Sequence, residues 1–292
     1  MTARGPLPAI VSISSHVARG AVGNRAVVFA CQTLGLPVWA VNTVSLPFHP
    51  GHGPSTRIEP EPEQFSAFLA DLLDSPWLGE VGAVLTGYMG SAGQAEATGR
   101  FVAELRRRRP GLIHLCDPIV GDAGGLYVGA DVAAAIRDHL LAGADWATPN
   151  LHELAWLAGG PLPGDLAATA ELARRVGPPR LVVTSAPALM RGRIANLLIE
   201  PEGAVVAEHP RLDGPPNGPG DLFAALLLAR LLAGEAGPRA LERASASVFE
   251  CVARAARRGS GELMLAADRG AIVQPSASVH LRRVVVPGAL VR

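Results

Sequence analysis

Short apolar runs alternate with amphipathic stretches along most of the chain, and this alternation predicts strands interleaved with helices. Ala9 to Ser14, Val38 to Val41, Val81 to Thr86, Leu112 to Cys116, Ala144 to Thr148 and Leu181 to Thr184 read as strands. Between them, Gln64 to Leu73 places Phe65, Phe68, Leu69 and Leu72 on one side of a helix. Helices are also predicted over Ala92 to Arg108, Asp131 to Leu141, Asn150 to Ala158, Leu166 to Arg175 and Pro238 to Arg257. Gly20 to Leu34 reads as a glycine-rich turn entering a helix that Gly35 and Pro37 end. Arg193 to Ile199 and Ala204 to His209 read as a hairpin around Pro201-Glu202-Gly203. Ser45 to Arg57 holds three prolines and two glycines, and is expected to be a loop or flap with little regular structure. Such alternation implies an α/β fold with a mainly parallel central sheet and helices on both faces. No composition shift divides residues 1–292, so a single domain is expected, with a loose leader over 1–8.

One stretch breaks the alternation. Pro215-Pro216-Asn217-Gly218-Pro219-Gly220-Asp221 is a turn, and it runs into a segment from Leu222 to Leu232 that is apolar almost all the way round. That segment predicts a buried helix with an acid at its mouth. The free N–H groups and positive dipole end there would suit an anion, with Asp221 as a general base. Alternatively, Asp221 simply caps the helix and the glycines make the turn. This stretch alone favours the second reading.

Composition removes several chemistries. The chain of 292 residues has a formal net charge of zero, so nothing favours nucleic acid or an anionic membrane as a partner. No apolar run is long enough to span a bilayer, and the N-terminal apolar run is too short for a signal peptide. The chain has no lysine; all 26 of its Lys and Arg residues are arginine. A P-loop nucleotidase, a protein kinase and an enzyme with an internal pyridoxal phosphate aldimine each need a lysine. Cys31, Cys116 and Cys251 are scattered among apolar residues and read as reduced core thiols of a cytosolic protein.

Ligands of open parallel sheets bind beyond the carboxyl ends of the strands. The residues there are Ser15-His16, Asn42-Thr43, Thr86-Gly87-Tyr88, Asp117-Pro118, Thr148-Pro149-Asn150 and Thr184-Ser185, all polar or small apart from the prolines. Asn150 and Glu153 share a helix face and could hold hydrated Mg²⁺ through oxygen ligands. The same pair also fits an N-cap with Glu at N3, the better reading on this evidence alone. His49, in the Pro/Gly loop, reads first as a solvated residue and second as a substrate contact. Gly20 and Gly23 read as packing or turn glycines before a phosphate cradle; they do not form Gly-x-Gly-x-x-Gly.

Taken together and in order, these segments resemble the pyridoxal kinases of the ribokinase-like superfamily. The resemblance rests on Ser14-Ser15-His16-Val17-Ala18-Arg19-Gly20-Ala21-Val22-Gly23-Asn24-Arg25-Ala26, Asn42-Thr43-Val44 with His49, and Leu85-Thr86-Gly87-Tyr88. It continues through Cys116-Asp117-Pro118-Ile119-Val120-Gly121-Asp122, Thr148-Pro149-Asn150-Leu151-His152-Glu153, Val183-Thr184-Ser185 and Gly218-Pro219-Gly220-Asp221. It implies an ATP-dependent kinase acting on the 5′-hydroxyl of pyridoxal, with Asp221 as base and Gly218 and Gly220 in an anion hole. Ser15, His49 and Tyr88 would then contact the substrate. Asp117, Asp122, Tyr127, Thr148, Thr184 and Ser185 would lie around the nucleotide, with Asn150 and Glu153 orienting Mg²⁺ through water. A monovalent cation is a further candidate, and a cytoplasmic homodimer is expected.

The chain departs from the family pattern in three places. Pro219 stands where the family carries a residue with a free N–H. Pro50-Gly51 follows His49 where the family tends to have Thr, and Leu46 replaces a bulky aromatic. Two other readings are therefore carried along: a hydroxymethylpyrimidine kinase, and a vitamer- or nucleotide-binding protein without turnover.

Overall fold

The computed structural model describes residues 7–285. Its centre is a nine-stranded mixed sheet with β1 (Ala9–Val17), β2 (Val38–Leu46), β3 (Val81–Thr86) and β4 (Ile113–Cys116) in its first half. β7 (Trp146–Ala147) and β8 (Arg180–Ala186) continue it, after a small separate hairpin of β5 (Gly121–Asp122) and β6 (Gly125–Leu126). β9 (Arg193–Glu200), β10 (Gly203–Pro210) and β11 (His280–Val284) complete it. The spatial order is β2-β1-β3-β4-β7-β8-β9-β10-β11. The strands from β2 to β8 pair parallel, and the last three are antiparallel additions.

Alternate side chains of each strand point to opposite layers. On β1, Val11 and Ile13 enter one core and Ile10 the other. The first core is covered by α2 (Pro62–Leu73), α3 (Ala92–Arg108), α4 (Ala130–Ala135), α5 (Leu151–Leu157) and α6 (Leu166–Ala173). The second is covered by α1 (Asn24–Thr33), α7 (Pro219–Leu232), α8 (Gly237–Arg257) and α9 (Arg269–Val273). Helix layers on both faces are what the near-continuous apolar strands require. α7 is buried from Leu222 to Arg230, as its all-round apolar sequence predicts. Arg230 is tolerated inside that run because its guanidinium bonds the Ile272 carbonyl and Ser247, and lies 3.7 Å from Glu235. The three cysteines are buried and free, and burial pushes each thiol up to about 12.

Several element bounds differ from expectation. β1 runs on to Val17 and β2 to Leu46, because ladder bonds continue through polar side chains. The helix expected to Leu141 becomes a π-helical turn after Ala135. The Pro/Gly loop is more ordered than expected. Ser45 and Ile58 exchange backbone hydrogen bonds of 2.8 and 3.0 Å, closing its base, and Pro50–His52 forms a 3₁₀ turn at its tip. The leader falls outside the described residues apart from Leu7 and Pro8, and Leu7 packs on the second core. Among the described residues no helix is long and apolar enough to cross a membrane.

Because β2 and β3 flank β1, the chain leaves the sheet in opposite directions beside β1. A crevice opens there at the carboxyl ends of the strands.

Candidate active site

The crevice is narrow and lined by Ser14, Val27, Leu85, Gly87, Asp117, Asp221 and Ala224. Two carboxylates, Asp221 and Asp117, line it, and a third, Glu153, lies near enough to Asp117 for their charges to interact. Asp221 comes from the first turn of α7, Asp117 follows β4, and Glu153 lies in the first turn of α5. Burial pushes Asp221 up to about 6 even though the Gly23 N–H donates to it. Burial and the neighbouring Asp221 charge push Asp117 up to about 7, against a 2.8 Å hydrogen bond from the Thr148 hydroxyl. Burial and Asp117 push Glu153 up to about 8. None of the three forms an ion pair among the described residues. Carboxylates raised by burial and, for Asp117 and Glu153, by a neighbouring acid mark a candidate functional site.

The turn before Asp221 is shaped by glycine. Gly218 has φ +93°, and a Cβ there would lie 2.0 Å from the Ala21 carbonyl oxygen. Glycine is therefore required twice over, for the left-handed backbone and for the close approach. Pro219 occupies the first helical position, where its fixed φ fits and a missing N–H breaks no helix bond. Gly220 differs from Gly218: its φ is not positive, and nothing lies within 4 Å of where its Cβ would be. The open face of α7 thus sits beside Gly220, where the N–H groups of Gly220 and Asp221 have no intrahelical carbonyl acceptor.

Gly23 seats this turn against β1. A Cβ on it would lie 2.2 Å from the Ser15 carbonyl oxygen, so Gly23 is a packing glycine and Gly20 a turn glycine with φ +110°. Asn24, the first residue of α1, is fully engaged. It donates to the carbonyls of Ser14 and Val41 and to the Asn42 side chain, and accepts from the Ser12 hydroxyl at 2.7 Å. That network ties the ends of β1 and β2 together. Tyr88 is held from behind: its N–H donates to Ser14 Oγ, and its carbonyl accepts from the Thr43 hydroxyl. Arg57, on the returning arm of the flap, donates to the Tyr88 hydroxyl at 2.9 Å and pairs with Glu59.

Asn150 and Glu153 form a complete capping box. The Asn150 amide oxygen accepts from His152 and Glu153, and its amide donates to the Gly121 carbonyl. Both Glu153 oxygens accept backbone N–H groups, from Asn150 on one side and from Val120 and Gly121 on the other. The box fastens α5 to the β5–β6 hairpin, where Asp122 accepts from Gly124 and from the Tyr127 hydroxyl. Thr184 joins the group through Pro149: its N–H donates to that carbonyl at 2.9 Å. Ser185 is exposed and has φ +54°, the one positive φ off glycine among the described residues.

Asp117, Thr148, Asn150, Glu153, Asp122, Tyr127 and Thr184 therefore form one connected group beyond β4 and β7 and at the end of β8, with Ser185 exposed next to Thr184. Asp221 lies in the crevice beside Ser14 and Gly87, with Gly218 and Gly220 in the turn before it and Ser15 and Tyr88 next in the chain to those two lining residues, and the Asp117–Asp221 interaction joins this side to the first group. His49 stands apart, with Nδ1 accepting the Gly51 N–H at 3.0 Å in the flap turn. Sequence reasoning missed Ser14, Asn24 and Arg57 as organisers of the site. Asn24 carried a usable signal, a polar residue immediately after a glycine at the mouth of a predicted helix.

The carboxylate group suits a hard cation. Asp117 has one oxygen spent on Thr148 and no cationic neighbour. Glu153 has both oxygens occupied, so it would act on a cation through field or water rather than by direct ligation.

Comparison with known proteins agrees with this geometry. The family model described as phosphomethylpyrimidine kinase matches residues 63–266. The pyridoxal kinase PdxY of Rubrobacter xylanophilus is 39% identical over 282 residues, covering 94% of this chain and 97% of that protein. The pyridoxine/pyridoxal/pyridoxamine kinase of Bordetella bronchiseptica is 41% identical over 272 residues, covering 90% and 95%. The solved pyridoxal kinase of Leishmania donovani in complex with ADP and pyridoxine superposes with a TM-score of 0.87 at 30% identity, over 95% of this chain and 99% of that one. The ribokinase-like sheet, the carboxylate crevice at its switch point and this likeness along nearly the whole chain agree: the chain belongs to the pyridoxal kinases, within the phosphomethylpyrimidine kinase family.

Proposed function

We propose that this chain phosphorylates the 5′-hydroxymethyl group of pyridoxal or a close vitamer from ATP, in vitamin B6 salvage. The observation that carries the reading is Asp221, a carboxylate raised to about 6 at the open N-terminus of a buried helix. Phosphoryl transfer asks little covalent help of the protein; it needs an oriented nucleophile and neutralised phosphate charge. Asp221 takes the proton as the hydroxyl oxygen attacks the γ-phosphorus. The N–H group of Gly220 and the dipole of α7 stabilise the charge on the transferred group, while the Asp221 N–H bonds its own carboxylate. Ser15 and Tyr88 orient the vitamer ring, with His49 approaching from the flap. The group from Asp117 to Ser185 receives the nucleotide. Bound Mg²⁺ would supply further charge neutralisation at the phosphates, and Asp117 and, through water, Asn150 and Glu153 would hold it. The protein is expected to work as a cytoplasmic homodimer.

ADP release measured across pyridoxal, pyridoxine, pyridoxamine and hydroxymethylpyrimidine tests the assignment. A B6 vitamer should give the highest kcat/KM. Preference for hydroxymethylpyrimidine would reassign the substrate, and vitamer binding without ADP release would make the chain a binding protein.

Pro219 sets the expected rate. It removes one donor from the α7 terminus, and one oxyanion donor is typically worth about 3 kcal/mol, or 10²–10³ in rate. Pro219→Ala and Pro219→Thr should therefore raise kcat with little change in vitamer KM. If neither variant exceeds the parent at saturating substrates, that donor does not limit the reaction.

The carboxylates also make a pH prediction. Asp221, Asp117 and Glu153 all have folded values above their ordinary ones. The folded state then binds more protons than the unfolded state, so stability is full below the ordinary values and is lost as pH rises through about 6 to 8. A bound cation reverses that loss. The rise in Tm caused by Mg²⁺ should be larger at pH 8 than at pH 6, and Asp117→Asn should shrink the difference. A Mg²⁺ effect equal at both values and untouched by Asp117→Asn would contradict this cation site.

A further inference from the structure

Glu262 lies in the connection between α8 and α9, far along the chain from the residues that form the crevice. It is only 9% exposed. Its neighbours come from three separate segments. Glu262 Oε1 is 2.8 Å from Nε2 of His52, at the tip of the flap. The same oxygen accepts from Arg19 Nη1 at 3.3 Å, in the loop after β1. The Glu262 backbone bridges to Asn217, in the turn that leads into Gly218 and α7. Gly20 makes room for the carboxylate: a Cβ there would lie 2.9 Å from Oε2. Ser260 braces the segment by bonding the Glu262 carbonyl and N–H.

The charge is costly where it sits. Oε2 is buried and has no partner, so Oε1 carries all the side chain's compensation. Arg19 is largely exposed and its bond is long, which leaves His52 as the stronger contact. The flap is thus fastened at two points, by the Ser45–Ile58 pairing at its base and by His52 on Glu262 at its tip. The tip also packs beside Asn217, whose amide nitrogen is 3.8 Å from where a Gly51 Cβ would be.

We infer that Glu262 is a positioning residue for the kinase reaction, latching the flap tip through His52 onto the turn that carries the α7 anion site. Flap closure over the crevice and the placement of Gly218 are thereby mechanically linked, although neither Glu262 nor His52 need touch the reacting atoms. The latch holds His49 in place as well, since its ring lies 6.4 Å from that of His52 in the same short turn. The inference rests on the kinase reading for its kinetic consequence but not for its structural one.

Hydrogen exchange over residues 47–57 and steady-state kinetics test it on the full chain. His52→Ala removes an exposed-loop side chain and should leave folding intact. It should speed exchange across the flap in the ligand-free protein. It should also raise the KM for pyridoxal by about tenfold, the scale of one charge-assisted hydrogen bond, with kcat changed less. His52→Gln keeps an N–H within reach of Glu262 and should restore much of the protection. Glu262→Ala should act like His52→Ala, and the double variant His52→Ala/Glu262→Ala should be no worse than the worse single variant, because both remove the His52–Glu262 contact. Unchanged exchange in His52→Ala would overturn the latch, as would a double variant whose effects multiply. The exchange arm needs no turnover, so it separates failure of the latch from failure of the kinase assignment.

Discussion

Asp221→Asn should lower kcat by about 10²–10⁴ while ATP and pyridoxal still bind, the usual scale of losing a general base. Asn keeps the shape at the α7 mouth and can still accept the Gly23 N–H, so the fold around the crevice should persist. Only basicity is lost. The parent enzyme should carry a matching pH signature. Asp221 must be ionised to accept a proton, and burial raises it to about 6, so kcat/KM should fall as pH drops through that region. The Asp221 charge raises Asp117 in turn, so the acid limb belongs to the pair. Near-parental turnover in Asp221→Asn would remove the residue from the chemistry.

The two glycines of the α7 turn should respond in opposite ways. Gly218→Ala places a methyl 2.0 Å from the Ala21 carbonyl oxygen and holds alanine at φ +93°. The strain alone costs about 1–3 kcal/mol, and the backbone clash must be relieved by moving the turn. A displacement of about 1 Å in a positioned site can cost 10²-fold in rate, so both Tm and kcat should fall, the latter by at least about that factor. Gly220→Ala meets no atom within 4 Å and no positive φ. Its Tm should hold or rise by the gain of alanine over glycine, about 0.4–1 kcal/mol, while its methyl enters the space proposed for the phosphate. Activity should drop without loss of stability. Equal thermal behaviour of the two variants would contradict the proposed turn geometry.

Much of this architecture is legible in the chain because the deciding signals are local. β3 and α3 were expected at the bounds observed, where aliphatic runs and the Ser91 and Pro110 boundaries leave little freedom. The Gly218–Asp221 turn is equally local, since its proline, glycines and acid lie side by side. Strand ends were less legible. β1 continues through Ser15 and His16 because backbone pairing with β2 does not depend on apolar side chains. β11 was missed because a sheet-edge strand with His280, Arg282 and Arg283 carries little hydrophobic pattern. Asn150 and Glu153 read as a cap on their own and as a metal site through the family resemblance, because the same oxygens serve either purpose. The structure spends those oxygens on the cap. Glu262 lay beyond sequence reasoning altogether, because its partners at 19, 52 and 217 are brought to it only by the fold.

The central claim is that Asp221 promotes transfer of the γ-phosphoryl group to the vitamer hydroxyl. A single-turnover rapid-quench experiment tests it most directly, with enzyme in excess over γ-labelled ATP at saturating pyridoxal and Mg²⁺. The account predicts that label passes to pyridoxal 5′-phosphate in step with ADP formation in the parent, and that the same first-turnover step is slowed in Asp221→Asn as much as kcat is. An unchanged first-turnover rate in Asp221→Asn, or ADP formed without labelled pyridoxal 5′-phosphate in the parent, would contradict it.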